Sequence, residues 1–188
     1  MKKTLAIAFI LLYFFSCLCF ANEAKGHSRA VLHTNKGQIT IKLLADKAPL
    51  SVANFVAYAQ SGFYNNTIFH RVIKRFVIQG GGFTSELVRK EVRDPIVNES
   101  GNGLHNDRWT VAMARTEDPD SATSQFYINL RMNSSLDKRG KKAGYTVFAE
   151  VISGQHVVQD ISKQATKKVA NFDNLPVEAI IIESVEIL

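Results

Sequence analysis

The chain has 188 residues, 46% of them hydrophobic and 21% charged, with a formal net charge of +6. That length holds one domain, or one domain with a processed end, and buries a core without disulfides or metal. The composition excludes a disordered or low-complexity chain, and the charge is too small to argue for nucleic-acid binding by itself.

Residues 1–21 read as a secretory signal peptide. Lys2 and Lys3 form a short basic start, Leu5 to Phe20 is apolar apart from Ser16 and two cysteines, and Ala21 ends the run. Cleavage is expected after Ala21. The apolar run is shorter than the ~20 residues a membrane span needs, so no stable membrane insertion is expected once the leader is removed. Both cysteines, Cys17 and Cys19, lie inside it. The mature chain would then carry no thiol, which suits an oxidising compartment such as a bacterial periplasm. Losing Lys2 and Lys3 lowers the 23 basic residues to 21 against 17 acidic ones, a net charge of +4.

A polar leader, residues 22–28, precedes a domain expected over 29–188. Arg29 to Thr34 and Gln38 to Leu43 alternate around the turn Asn35-Lys36-Gly37, the pattern of a β-hairpin. A helix follows. Pro49 suits its first turn, Val52, Phe55, Val56 and Ala59 mark one helical face, and Ser61-Gly62 is a stop signal. Strand patterns then dominate: Thr67 to Val72, Phe76 to Gln79, Trp109 to Arg115, Gln125 to Leu130, Tyr145 to Val151 and Ala179 to Leu188. A second helix is expected at Gln155 to Lys163, with Val157, Val158 and Ile161 inward. Many short strands and few helices imply an antiparallel all-β domain, with periodicity unable to separate barrel from sandwich.

The usual catalytic sets are missing from the sequence. The five histidines, His27, His33, His70, His105 and His156, show no metal-site spacing. Gly80-Gly81-Gly82 lacks the Lys-Ser/Thr of a phosphate loop, there is no Gly-x-Ser-x-Gly elbow, and Asp118-Pro119-Asp120 reads as a turn. The basic run Lys138 to Lys142 reads as a solvated loop, and Trp109 as a packing residue. One stretch stands out: Phe69-His70-Arg71-Val72-Ile73-Lys74-Arg75-Phe76-Val77-Ile78-Gln79-Gly80-Gly81. Its alternation can set Arg71 and Gln79 among aromatic residues. It equally allows Arg71 to snorkel to solvent from a strand end.

This stretch resembles the central signature of the cyclophilin family. Met113-Ala114-Arg115 with Ser124-Gln125-Phe126-Tyr127-Ile128 resembles its second signature, and Leu136-Asp137 with Gly144-Tyr145-Thr146-Val147-Phe148 its third. The resemblance spans roughly Ala30 to Leu188 and is greatest to the bacterial periplasmic branch. It implies a closed eight-stranded antiparallel β-barrel capped by two α-helices, and peptidyl-prolyl cis-trans isomerase activity without cofactor or metal. The implied partners are proline-containing peptides and unfolded exported proteins, met by a monomer that binds no nucleic acid.

By the same resemblance Arg71 matches the catalytic arginine. Phe76, Val77, Tyr127 and Leu136 match the apolar pocket for the proline ring. Gln79, Ala114, Arg115 and Gln125 match the groove for the peptide backbone, and His70 and Tyr145 match supporting positions. Tyr127, Val77 and Arg115 stand where phenylalanine, methionine and asparagine are frequent. Ser135 stands where eukaryotic members usually have tryptophan, which implies weak cyclosporin binding. Two other readings compete: a proline-peptide binding module with negligible turnover, and a secreted β-domain that binds an acidic partner through its basic run.

Overall fold

A computed structural model describes residues 28–188. The expected signal peptide and nearly all of the polar leader lie outside the described residues. Eleven strands and two α-helices follow in chain order. The first hairpin pairs β1 (Arg29–Thr34) with β2 (Gly37–Leu43) across the two-residue turn Asn35-Lys36. Alternation buries Ala30 and Leu32 from one strand and Ile39, Ile41 and Leu43 from the other. Gly37 holds φ +124°, a conformation in which an L side chain would be strained.

Helix α1 (Pro49–Gln60) starts with Pro49, whose missing N–H leaves no donor unsatisfied. Ala48 gives it no side-chain cap. The carboxylate of Glu99, from a distant loop, accepts instead from the N–H of Leu50 at 2.9 Å, the N–H of Ser51 at 2.8 Å and the Ser51 hydroxyl at 2.7 Å. A negative charge there also complements the helix dipole. The other end closes as a Schellman motif: Gly62 takes φ +67°, its N–H donates to Ala59 O, and Phe63 N–H donates to Tyr58 O. The Tyr58 and Phe63 rings seal it with centroids 4.6 Å apart.

The remaining strands are β3 (Thr67–Ile68), β4 (Arg71–Ile73), β5 (Val77–Gly80), β6 (Thr110–Met113), β7 (Phe126–Asn129), β8 (Val147–Ser153), β9 (Thr166–Val169), β10 (Phe172–Pro176) and β11 (Ile181–Ile187). Helix α2 spans Gln155–Ser162 and buries Val157, Val158 and Ile161, as its periodicity predicts. Nine strands form one antiparallel sheet in the order β3-β11-β1-β2-β8-β6-β7-β5-β4, and β9 and β10 form a separate hairpin. The core lies against one face of this sheet. Phe55 of α1 sits at its centre, within 5.2–5.7 Å of the rings of Tyr64, Phe148 and Phe126.

The expected closed eight-stranded barrel is therefore corrected. The sheet is an open, strongly curled nine-stranded half-barrel with two helices. The physical reason lies in Thr67 to Val72, expected as one strand. It breaks at Phe69-His70 into β3, whose partner strand is β11 (Thr67 also bridges Thr84), and β4, whose partner strand is β5. These two edges are consecutive pieces of one short chain segment, so no ladder joins them. Glu99→Ala should lower unfolding stability by about 1–2 kcal/mol with an unchanged denaturant slope, as loss of a helix cap does; urea titration monitored by circular dichroism checks this.

Candidate active site

The site is built on the sheet face that turns away from the core. Strand alternation sends Ile78 of β5, Phe126 and Ile128 of β7, and Val111 and Met113 of β6 into the core. Their neighbours Val77, Tyr127 and Ala112 point the other way and join Val147 in a second, small buried cluster. Phe76, Ala114, Leu136 and Tyr145 pack around it. Leu136 arrives on a 3-10 turn, Ser134–Leu136, which the sequence reading did not anticipate.

Arg71 and Gln79 are direct partners across β4 and β5, and Gln79 is the direct partner of Tyr127 across β5 and β7. Arg71 Nη1 donates to Gln79 Oε1 at 3.1 Å, and Gln79 Nε2 donates to Gln125 Oε1 at 3.0 Å. A guanidinium offers donors only, so it fixes which way the Gln79 amide faces, and that choice aims the Gln79 NH2 at Gln125. Gly82 leaves room for the end of this relay: a Cβ there would lie 2.6 Å from Gln125 Cγ. Arg71 is thus half-buried and oriented rather than snorkelling into solvent.

Nine of the eleven expected site residues line one cavity of about 210 Å³. Arg71, Gln79 and Arg115 supply its polar wall. Phe76, Val77, Ala114, Tyr127, Leu136 and Tyr145 supply the rest. The lining holds no carboxylate, thiol or imidazole. Its chemistry is therefore hydrogen-bond donation beside an apolar socket, without a nucleophile or an acid–base pair.

Two of the departures from the family pattern turn out to be structural. The Arg115 guanidinium lies 4.5 Å from the centre of the Tyr145 ring. Its Nε donates to Gly144 O, Nη2 to Ala143 O, and Nη1 to Thr116 O and Glu117 O. It clamps two loops together and forms a wall. The Tyr127 hydroxyl is turned away from the cavity and donates to Asn106 Oδ1 at 2.8 Å. Burial pushes its pKa well above the usual phenol value, and the nearby Tyr145 and Asp137 add to this.

Asn106 is the residue that sequence reasoning missed. It is 1% exposed, and its backbone and side-chain N–H groups donate to Asp137 Oδ1 at 2.7 and 2.9 Å. Asn129 donates to it at 3.2 Å, and Asn133 donates to Asn129 at 2.7 Å. Burial raises the Asp137 pKa, but the donors from Asn106 and His105 outweigh this and hold it below the ordinary carboxylate value. This network fixes the back of the cavity. Its sequence signal is weak: Asn106 and Asn133 stand in turn-like surroundings, which loops carry routinely, and Asn129 reads as part of a strand.

His70 and Gln125 are not in this cavity. They line a neighbouring one that shares Arg71 with it. His70 is 5% exposed, lies edge-on to Phe83 at 4.8 Å, and its Nδ1 has no hydrogen-bond partner among the described residues. Burial lowers its pKa from 6.5 to about 4; Arg71 contributes in the same direction and a hydrogen bond to the Ile68 backbone opposes it.

A half-barrel that presents an apolar socket, one oriented arginine and a glutamine relay defines an enzyme that acts by binding and hydrogen bonding. The family model described as cyclophilin type peptidyl-prolyl cis-trans isomerase matches residues 29–187. The chain is 43% identical over 188 residues to peptidyl-prolyl cis-trans isomerase A of Dickeya dadantii, covering 100% of this chain and 99% of that one. It is 51% identical over 158 residues to peptidyl-prolyl cis-trans isomerase B of Escherichia coli, covering 82% and 96% respectively. Among solved structures, a Cryptosporidium parvum cyclophilin-type isomerase studied in the presence of the dipeptide Ala-Pro aligns with a TM-score of 0.71 at 27% identity, covering 85% of this chain and 98% of that one. The chain belongs to the cyclophilin-type peptidyl-prolyl cis-trans isomerase family and is an enzyme that isomerises X–Pro peptide bonds.

His70 makes folding pH-dependent. Its folded pKa lies below the unfolded value, so below pH 6.5 the unfolded chain takes up a proton that the folded chain resists. Stability should therefore fall as pH drops from 6.5 toward 4, with a His70 share of about 2 kcal/mol by pH 5. Urea titrations at pH 7 and 5 should show this loss in the wild type and a smaller one in His70→Gln.

Proposed function

We propose that Arg71 is the catalytic group of this isomerase, and that the enzyme works on exported proteins in a bacterial periplasm. An X–Pro bond rotates over a barrier of ~18–20 kcal/mol because resonance gives the C–N bond double-bond character. Each ~1.36 kcal/mol removed gives a tenfold rate. A thousandfold to millionfold gain therefore needs only about 4 to 8 kcal/mol, within reach of hydrogen bonding and positioning.

In the twisted transition state conjugation is lost and the prolyl nitrogen gains a free lone pair. The planar ground-state amide offers none. A hydrogen bond from Arg71 to that nitrogen is thus made in the transition state alone, which is the condition for acceleration. Phe76, Val77, Leu136 and Tyr127 form the socket for the ring, the Ala114–Arg115 edge holds the chain on one side while the other rotates, and Gln79 orients Arg71. The apolar socket strengthens the arginine's bond when the bound proline ring keeps water away. The observation that carries this reading is the Arg71–Gln79–Gln125 relay beside the apolar socket. A binding module would need the socket but not an oriented guanidinium.

Export rests on the leader pattern of residues 1–21 and on the placement of both cysteines within it. No helix of the described residues is long and apolar enough to cross a membrane. The folding of exported proline-containing chains is the role that follows. Ser135 lies in the wall of a further cavity beside Leu136 and brings no indole to it, which supports weak cyclosporin binding.

In a protease-free isomerisation assay on a short X-Pro peptide, the chain from Asn22 should accelerate exchange. Arg71→Ala should fall by about tenfold or more while staying folded, and Arg71→Lys, which keeps the charge but not the planar fork, should lie between. Wild-type exchange at the uncatalysed rate would return the chain to the binding-module reading. Fractionation of Gram-negative cells that express the full chain should find it in the periplasm with a mass that begins at Asn22. A full-length cytosolic protein would contradict export.

A further inference from the structure

The cavity on the far side of Arg71 has a volume of about 610 Å³ and is not used by the mechanism above. One wall is the loop after β5. Phe83 and Arg89 form an isolated β-bridge there, and Leu87, at φ +63°, turns the chain between them. The other wall is the β9–β10 hairpin, which brings Asn171, Phe172, Asp173 and Asn174. Its floor is aromatic. Phe83 and Phe172 meet edge-to-face at 5.0 Å, and His70 lies 4.8 and 6.0 Å from them.

The charges of this cavity are unbalanced. Arg71 and Arg89 bring two guanidinium groups to its lining. Its one carboxylate, Asp173, is already held by Lys168 at 2.8 Å. Arg89 is exposed and pairs with no acidic side chain among the described residues. An apolar floor beneath a guanidinium with no acidic partner, that of Arg89, fits a side chain with an aliphatic stem and a carboxylate end.

The two cavities adjoin at Arg71. Arg71 lines both, and Gln125 of the second is hydrogen-bonded to Gln79 of the first. An extended peptide advances about 3.3 Å per residue. A chain with its proline in the socket therefore reaches across Arg71 within one or two residues.

We infer that this second cavity is a specificity subsite that reads an acidic side chain, Glu above all, flanking the X–Pro bond of the bound peptide; this rests on the isomerase reading of the socket. Arg89 is its specificity-determining residue, and Phe83 and Phe172 hold the stem of the side chain.

The test uses the chain from Asn22 and proline peptides with alanine at all flanking positions, or with one flanking alanine replaced by Glu, Lys or Leu. Exchange is measured at low salt without protease. At one flanking position Glu should raise kcat/KM about fivefold over Lys, the scale of one solvent-exposed charge pair. Added salt should shrink that ratio. Arg89→Glu should reverse it while leaving the all-alanine peptide unchanged, and Arg89→Ala should abolish it. Equal rates for Glu and Lys at every position, a preference for Leu over both, or a Glu preference that survives Arg89→Glu would overturn the subsite. Failure of the all-alanine peptide to turn over would count against the isomerase reading instead. In that case amide shifts of Phe83, Arg89 and Phe172 on addition of the Glu peptide, absent with the Lys peptide, still decide the subsite.

Discussion

The hydrogen-bond relay from Arg71 through Gln79 to Gln125 is the constraint on which the site depends. It exists because Arg71 and Gln79 are direct partners across β4 and β5. A slip of one residue in that pairing would send both side chains into the core and bring Val72 and Ile78 to the surface. The register is fixed by the turn between the strands. Arg75 takes φ +60° and Phe76 N–H donates to Ile73 O at 3.0 Å, closing it tightly. The same turn delivers Phe76 to the socket. A local backbone choice at a non-glycine residue thus places the arginine, the glutamine and one wall of the pocket together.

The sheet serves two environments at once. One face holds the aromatic core around Phe55, and the other holds the small cluster of Val77, Ala112, Tyr127 and Val147. Strand alternation makes this possible, and it links stability to function through the same strands. Behind the socket, the Asn106 network takes up the Tyr127 hydroxyl and the Asp137 carboxylate. The departures from the family pattern at Tyr127 and Arg115 thereby become fixtures of the wall. Arg115 spends its guanidinium donors on backbone carbonyls, consistent with a groove that meets its peptide mainly through backbone groups.

Much of this was legible in the sequence, for definable reasons. The β1–β2 hairpin and α1 announce themselves through alternation, Pro49 and Gly62, all local signals. Nine of the eleven expected site residues share one cavity because the motif and strand pairing carry them there together. His70 and Gln125 fall next door, since each precedes the first residue of its strand and is not on the strand face that carries Gln79 and Tyr127. The rest depends on distant partners. Nothing near Glu99 says that it caps α1 at Leu50, 49 residues away. The β9–β10 hairpin is largely exposed and polar, so no apolar alternation marks it. The open sheet follows from a break at Phe69-His70 inside a run that reads as one continuous strand.

The central claim is that Gln79 acts by orienting Arg71, and a double-mutant cycle on the isomerase assay tests it most directly. Gln79→Ala should lower kcat/KM about tenfold in the wild-type background and less than about twofold in Arg71→Ala, because the relay has nothing left to orient. Equal losses from Gln79→Ala in both backgrounds would contradict the account and give Gln79 an independent role in holding the peptide.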